Sequence, residues 1–171
     1  MLTVGLIDIE ASSLHPDRSY PIEVGWGVIG ERAPTSCLVC PEPEWIDWDP
    51  ASQEVHKIRR VTLLEQGLPP REVCARLLHD VAKVPLFSDA HEVDHIWLWR
   101  LFEAGGVASL CPRVGCLRTM LARTCGLDPD EWDEARRRAS LAAPRTHRAA
   151  GDVAHMIALC DAACAIARER G

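Results

Sequence analysis

Residues 2–9, Leu-Thr-Val-Gly-Leu-Ile-Asp-Ile, make a nearly unbroken apolar and β-prone run. Apolar residues without alternation over that length fit a strand covered on both faces, which belongs at the centre of a sheet with helices on each side. Asp8 and Glu10 stand at its end. The strand period of two puts both carboxylates on one face. Buried without a counter-charge, each would cost several kcal/mol. The simpler alternative is a strand that reaches solvent at Asp8.

The segments that follow define what can surround this strand. Residues 12–21 are polar with two prolines. A second strand is expected over 22–29, a turn over 30–34 and a third strand over 35–40, so the chain starts as an antiparallel meander. Residues 41–60, with Pro41, Pro43, Pro50, Trp45 and Trp48, predict an irregular loop with at most short helical turns. Pro70-Arg71-Glu72 opens a helix whose Val73, Leu77, Leu78 and Val81 share a face. A short buried strand is expected over 84–87, a helix over 95–104 ended by Gly105-Gly106, and a brief edge strand within 107–117. A charged, Arg-rich helix covers 130–140. The last helix covers 152–170, with Val153, Ile157, Cys160, Cys164 and Ala167 on its buried stripe. No internal repeat, low-complexity tract or linker interrupts this order. Residues 1–171 therefore predict a single α/β domain with a mixed sheet, and 171 residues suit one domain with a sizeable core.

Composition narrows the function classes. The chain has 25 acids against 19 bases, which excludes a surface coated for duplex DNA, and 17 of the bases are Arg. No segment approaches the roughly 18 uninterrupted apolar residues of a membrane span. The first residues lack a basic flank and run straight into Asp8 and Glu10, unlike a signal peptide. The expectation is a cytoplasmic protein with no membrane partner. Eight cysteines stand at spacings (Cys37 and Cys40, Cys111 and Cys116, Cys160 and Cys164) that offer no paired zinc pattern, so they read as small core residues in a reducing compartment.

Two further acids stand at helix starts. Asp94 follows the strand at 84–87 within Ser88-Asp89-Ala90-His91-Glu92-Val93-Asp94, and Asp152 closes His147-Arg148-Ala149-Ala150-Gly151-Asp152. Each alone is explained as an N-cap, whose carboxylate accepts from free helix N–H groups. His147 alone reads as a surface histidine. Taken in order, Asp8-Ile9-Glu10, Asp94 and His147-x-Ala149-x-x-Asp152 resemble the DEDDh, or DnaQ-like, 3′-to-5′ exonucleases, over about residues 4–160.

The resemblance implies a ribonuclease H-like fold with a mixed five-stranded central sheet flanked by helices. It implies release of nucleoside 5′-monophosphates from the 3′ end of single-stranded RNA or DNA, with RNA or short oligonucleotides favoured on chain size. Asp8, Glu10, Asp94 and Asp152 would hold two divalent ions, Mg²⁺ or Mn²⁺, whose preference for oxygen ligands suits carboxylates. His147 would take the proton from the attacking water, a task suited to an imidazole, which ordinarily titrates near about 6.5. Ala11 and Ser12 would meet the terminal ribose, Leu14 would wedge against the last bases, and His56 would border the site unless it is an exposed loop histidine. Arg145 and Arg148, flanking the base, would contact phosphate. Arg136, Arg137 and Arg138 either do the same or balance nearby acids on a solvated helix face. By the same analogy the protein is a homodimer.

Two departures from the family pattern bear on these assignments. Ala11-Ser12-Ser13 replaces the Thr-Thr-Gly or Thr-Gly common after the first motif, and Asp89-Ala90 stands where His-Asn is frequent. Asp94 is aligned because a helical apolar pattern, Ile96-Trp97 through Leu101, follows it, with Asp89 as the alternative ligand. A different class, a catalytically silent nucleic-acid-binding or adaptor protein on the same fold, has no physical reason to retain mutually repelling carboxylates.

Overall fold

The computed structural model describes residues 3–31, 33–81 and 84–170, so Leu2 of the expected first strand and Arg32 of the expected turn lie outside the described residues. Strands β1 (Gly5–Ala11), β2 (Pro21–Val28), β3 (Thr35–Leu38), β4 (Leu86–Ser88) and β5 (Val114–Cys116) form one sheet in the order β3-β2-β1-β4-β5. β1–β2 and β2–β3 are antiparallel, whereas β1–β4 and β4–β5 are parallel. This is the mixed five-stranded α/β sheet expected from the sequence, with the apolar N-terminal strand at its centre.

Alternation along β1 sorts its side chains between two cores. Ile7 and Ile9 enter one with Val24, Trp26, Leu77, Leu98 and Leu101, beneath α3 (Pro70–Val81) and α4 (His91–Ala104). Leu6 enters the other with Leu121, Ala139 and Met156, beneath α5 (Leu117–Cys125), α6 (Pro129–Ala142) and α7 (Ala149–Glu169). Leu6 and Ile7 are fully buried, so both faces of the strand are covered. The period of two then aims Asp8 and Glu10 toward the α7 side. Their cross-strand partners on β2 are Gly25 and Glu23.

Gly25 makes this arrangement possible. A Cβ there would lie 2.4 Å from the carbonyl carbon of Ala149, so only a residue without one lets the first turn of α7 press onto the sheet beside Asp8. By length and composition α7, at 21 residues, could cross a membrane. In this fold it is a core helix packed on β1, β2 and α6.

Several elements differ from expectation. Residues 41–60 are not loop throughout, since α1 (Pro50–His56) and the start of α2 (Arg60–Gln66) lie there. Pro50 read as a breaker, yet it follows the Asp49 N-cap at a first-turn position where proline's missing N–H costs nothing. The edge strand expected within 107–117 is β5, preceded by a 3-10 turn at Ala108–Leu110, but α5, which follows it, is not among the expected elements. Leu117, Leu121 and Cys125, four apart, are the buried stripe of α5. Trp45 is a loop anchor, stacked on Tyr20 at 5.2 Å, and Trp26 and Trp97 are in the core. All eight cysteines are free thiols. Arg136 pairs with Asp133, Arg137 with Glu134, and Arg138 with both Glu134 and Glu169, which makes this the solvated face of α6.

Gly25→Ala is expected to cost about 1–3 kcal/mol, the scale of overpacking a close contact. The measurement is a urea denaturation midpoint, and an unshifted midpoint would contradict the close approach of α7 to β2.

Candidate active site

A cleft of about 610 Å³ opens at the end of β1, and Asp8, Glu10, Asp94 and Asp152 all line it. One carboxylate oxygen from each of Asp8, Glu10 and Asp152 falls within 4.8 Å of the others. Asp8 and Glu10 come from β1, and Asp152 comes down from the first turn of α7. Asp94 reaches the same place from α4, accepting hydrogen bonds from the Ser88 hydroxyl and from the Ile9 N–H on β1.

Neither helix acid is an N-cap. α4 and α7 begin several residues earlier than their sequence patterns suggest, so the capping positions are Ala90 and Arg148. Asp94 and Asp152 are fourth in their helices. Asp152 instead accepts from the Thr146 N–H at 2.8 Å, which ties the preceding loop to the acid cluster. Gly151 lets this loop pack closely on the helix, since a Cβ there would sit 2.1 Å from the Thr146 hydroxyl and turn that side chain aside.

The crowding of carboxylates leaves an electrostatic deficit. Burial, then the charges of Asp94, Glu10, Asp152 and Asp89, push Asp8 up to about 9. Glu10 is raised to about 7, first by burial and then by Asp152 and Glu23, against a lowering by Arg148. Burial chiefly raises Asp94 to about 7, despite its hydrogen bonds from Ser88 and Ile9. An all-oxygen donor set that resists ionisation for want of positive charge fits hard divalent cations.

His147 lines the same cleft from the exposed loop before α7, with a left-handed φ of 53°. The chain is pinned on both sides of it. Thr146 is held by Asp152, and Arg148 and Ala149 are held by Glu23. The Glu23 side chain is only 2% exposed and accepts from Arg148 Nε and from its terminal nitrogen at 2.9 Å each, from the Ala149 N–H at 3.1 Å, and from the Ser36 hydroxyl at 2.8 Å. Burial raises the Glu23 pKa, but these donors outweigh it and hold the carboxyl below its ordinary range. Sequence reasoning missed Glu23. The available signal was a lone acid in the otherwise apolar run Ile22-Glu23-Val24.

Of the other residues named from the sequence, Ala11, Leu14, His56, Asp89 and Arg145 line the cleft. Two do not reach it. Ser12 is fully buried, its hydroxyl accepting from the Tyr20 N–H while its own N–H and C=O bond Tyr20 and Asp49. Arg148, expected at phosphate, spends its fork on Glu23. His56 is no exposed loop histidine, being 2% exposed. Its Nδ1 accepts from the Ile58 N–H at 3.0 Å, its Nε2 has no hydrogen-bond partner, and burial lowers its pKa. Asp89 is committed to an ion pair with Arg145, whereas Asp94 is held against β1.

Among known proteins, no family model matches this sequence, and no curated protein does. Solved structures do match. E. coli exonuclease I in complex with a dT13 oligonucleotide superposes with a TM-score of 0.67 at 18% identity, over 92% of this chain and 40% of that one. A zinc-ion-bound form of the E. coli exonuclease I complex with single-stranded DNA gives 0.65 at 18%, over 92% and 39%. Exonuclease I from Methylocaldum szegediense gives 0.59 at 16%, over 76% and 31%. The chain shares the fold of these exonuclease I structures, the ribonuclease H-like fold expected from the sequence. It spans about two fifths of the length of the E. coli chains.

Two predictions test this site. Arg148→Ala strands a buried carboxylate and is expected to cost about 2–3 kcal/mol, more than the roughly 1 kcal/mol for Glu23→Ala, which leaves a half-exposed guanidinium to water. Chemical denaturation of the two variants gives the order, and the reverse order would refute the clamp. In metal-free protein, Asp8 at about 9 and Glu10 and Asp94 at about 7 stand above the unfolded-chain values near 4. The folded state therefore holds more protons in that interval. The stability from these groups is complete below about pH 4 and is lost as pH rises through about 7 toward 9. Melting in chelator should fall across that window, and Asp8→Asn should flatten the fall. Parallel pH profiles for the two proteins would contradict it.

Proposed function

We propose that the protein is a divalent-metal-dependent 3′-to-5′ exonuclease, releasing nucleoside 5′-monophosphates from single strands, with residues 1–171 as its catalytic domain. The observation that carries this reading is the triple of Asp8, Glu10 and Asp152, with oxygens within 4.8 Å, sharing a cleft with His147. Exonuclease I, whose fold the chain shares, is seen in complex with oligodeoxynucleotides, which supports a single-stranded substrate and makes DNA the first to test. The lean toward RNA rests on chain size alone, so RNA is the second arm of the test.

Asp8, Glu10, Asp94 and Asp152 would hold two Mg²⁺ or Mn²⁺ ions, whose combined charge matches that of the four carboxylates. When bound, such ions stabilise the charge that develops on the phosphate and on the leaving 3′-oxygen. The remaining work falls to the chain's own groups. His147, exposed on its loop and free of the helix, accepts the proton of the attacking water. Asp152 and Glu23 fix the loop around it, which limits the positions its ring can reach. Leu14, 82% exposed, and Val55, 51% exposed, offer apolar edges to the terminal bases. His56, neutral in its buried setting, accepts at Nδ1 and so carries its proton on Nε2, a donor without a partner. Arg145 offers a guanidinium to phosphate.

The experiment is degradation of 5′-labelled single-stranded DNA and matched RNA with Mn²⁺, with Mg²⁺ and with chelator. The expected result is a metal-dependent ladder shortened from the 3′ end, lost in Asp8→Ala and reduced about 10²–10⁴-fold in kcat by His147→Ala. Undiminished cleavage by Asp8→Ala would overturn the proposal. Binding of both strands without cleavage by the parent protein would mark a catalytically silent nucleic-acid-binding protein instead.

A further inference from the structure

The acid cluster carries a cation of its own. Arg145, on the loop between α6 and α7, forms an ion pair with Asp89, which follows β4, and its second terminal nitrogen lies 3.7 Å from Asp152 on α7. Its guanidinium thus bridges two walls of the cleft. The Arg145 side chain is 41% exposed and that of Asp152 is 5% exposed, so the positive charge enters from the solvent side and the carboxylates form the floor. The other base beside His147, Arg148, is held by Glu23 on the sheet. Among the described residues lining the cleft, Arg145 is the one arginine, and no lysine lines it.

An arginine in this place cannot yield by losing its proton, because a guanidinium stays charged throughout the working pH range. It can only move. A divalent ion binding to Asp152 and the guanidinium at contact distance from the same carboxylate would repel each other strongly in a partly desolvated cleft. We propose that Arg145 is an internal counter-cation of the acid cluster, which divalent ions displace from Asp152 on binding, so that metal loading releases the guanidinium toward the phosphates of an incoming strand. This inference rests on the metal-binding reading given under Proposed function. Asp89 is the hinge of the exchange, since its pairing keeps Arg145 at the cleft after Asp152 is given up. The arrangement stabilises the metal-free fold, weakens metal binding, and makes metal and phosphate bind cooperatively.

The test uses the full chain, with Arg145→Gln to remove the charge and Arg145→Lys to keep it. Mn²⁺ affinity is measured by calorimetric titration without nucleic acid, and melting is followed in chelator and at saturating Mn²⁺. Arg145→Gln should bind Mn²⁺ up to about fivefold more tightly, the scale of the one Asp152 contact that the metal displaces, while Arg145→Lys stays near the parent. In chelator Arg145→Gln should melt below the parent, and saturating Mn²⁺ should narrow the gap to what the retained Asp89 pair contributes. A melting deficit that Mn²⁺ does not reduce would show a packing role only and overturn the inference. Equal Mn²⁺ affinity in the parent and Arg145→Gln would overturn it alone, whereas no Mn²⁺ uptake by either would overturn the metal reading and this inference together.

Discussion

Asp8, Glu10, Asp94 and Asp152 converge where a strand covered on both faces comes to its end, and charges crowded there lose more water than their few partners replace. Much of the surrounding structure answers that deficit. Burial and mutual repulsion hold Asp8, Glu10 and Asp94 toward their protonated forms. Arg148 sits close enough to lower Glu10, but its fork is already committed to Glu23, the cross-strand neighbour of Glu10. Arg145 closes the cleft from the solvent side. Neighbouring groups only partly compensate the cluster, which leaves the cleft receptive to further positive charge.

The geometry follows from strand parity and one close contact. Because side chains alternate on β1, the residues that build the core under α3 and α4 leave Asp8 and Glu10 to the opposite face, with Leu6. Gly25, opposite Asp8, lets the start of α7 descend far enough for Asp152 to meet them. The three-carboxylate triple is therefore assembled by sheet register and helix docking.

What was legible in the sequence was local and periodic. The unbroken apolar run of β1, the acid pair at its end, and the ordered motifs around Asp94 and His147 led to the fold and to the four carboxylates of the cleft. What was hidden depended on contacts distant along the chain. The N-cap explanation of Asp94 and Asp152 failed because both helices begin several residues earlier, leaving the acids to Ser88 and Thr146, partners that no local pattern reveals. Arg148 looked free until Glu23, more than a hundred residues away, was found to hold it. Short helices such as α1 and α5 carry too few turns for periodicity to stand out, although Pro50 and the Leu117, Leu121, Cys125 stripe were there to be read.

α7 is at once a core element and a wall of the cleft, and this divides the site by timescale. Met156 and Ala163 lie among the fully buried residues of the second core, and Asp152 is one turn before Met156. Asp152 is thus carried by a helix of the packed core, the part of a fold that opens least readily. The imidazole of His147 hangs from an exposed loop tied at two points, free to fluctuate far faster. The protein thus joins a rigid acid floor to a faster exposed imidazole, and the ties of the loop to buried Asp152 and Glu23 couple any displacement of it to the core.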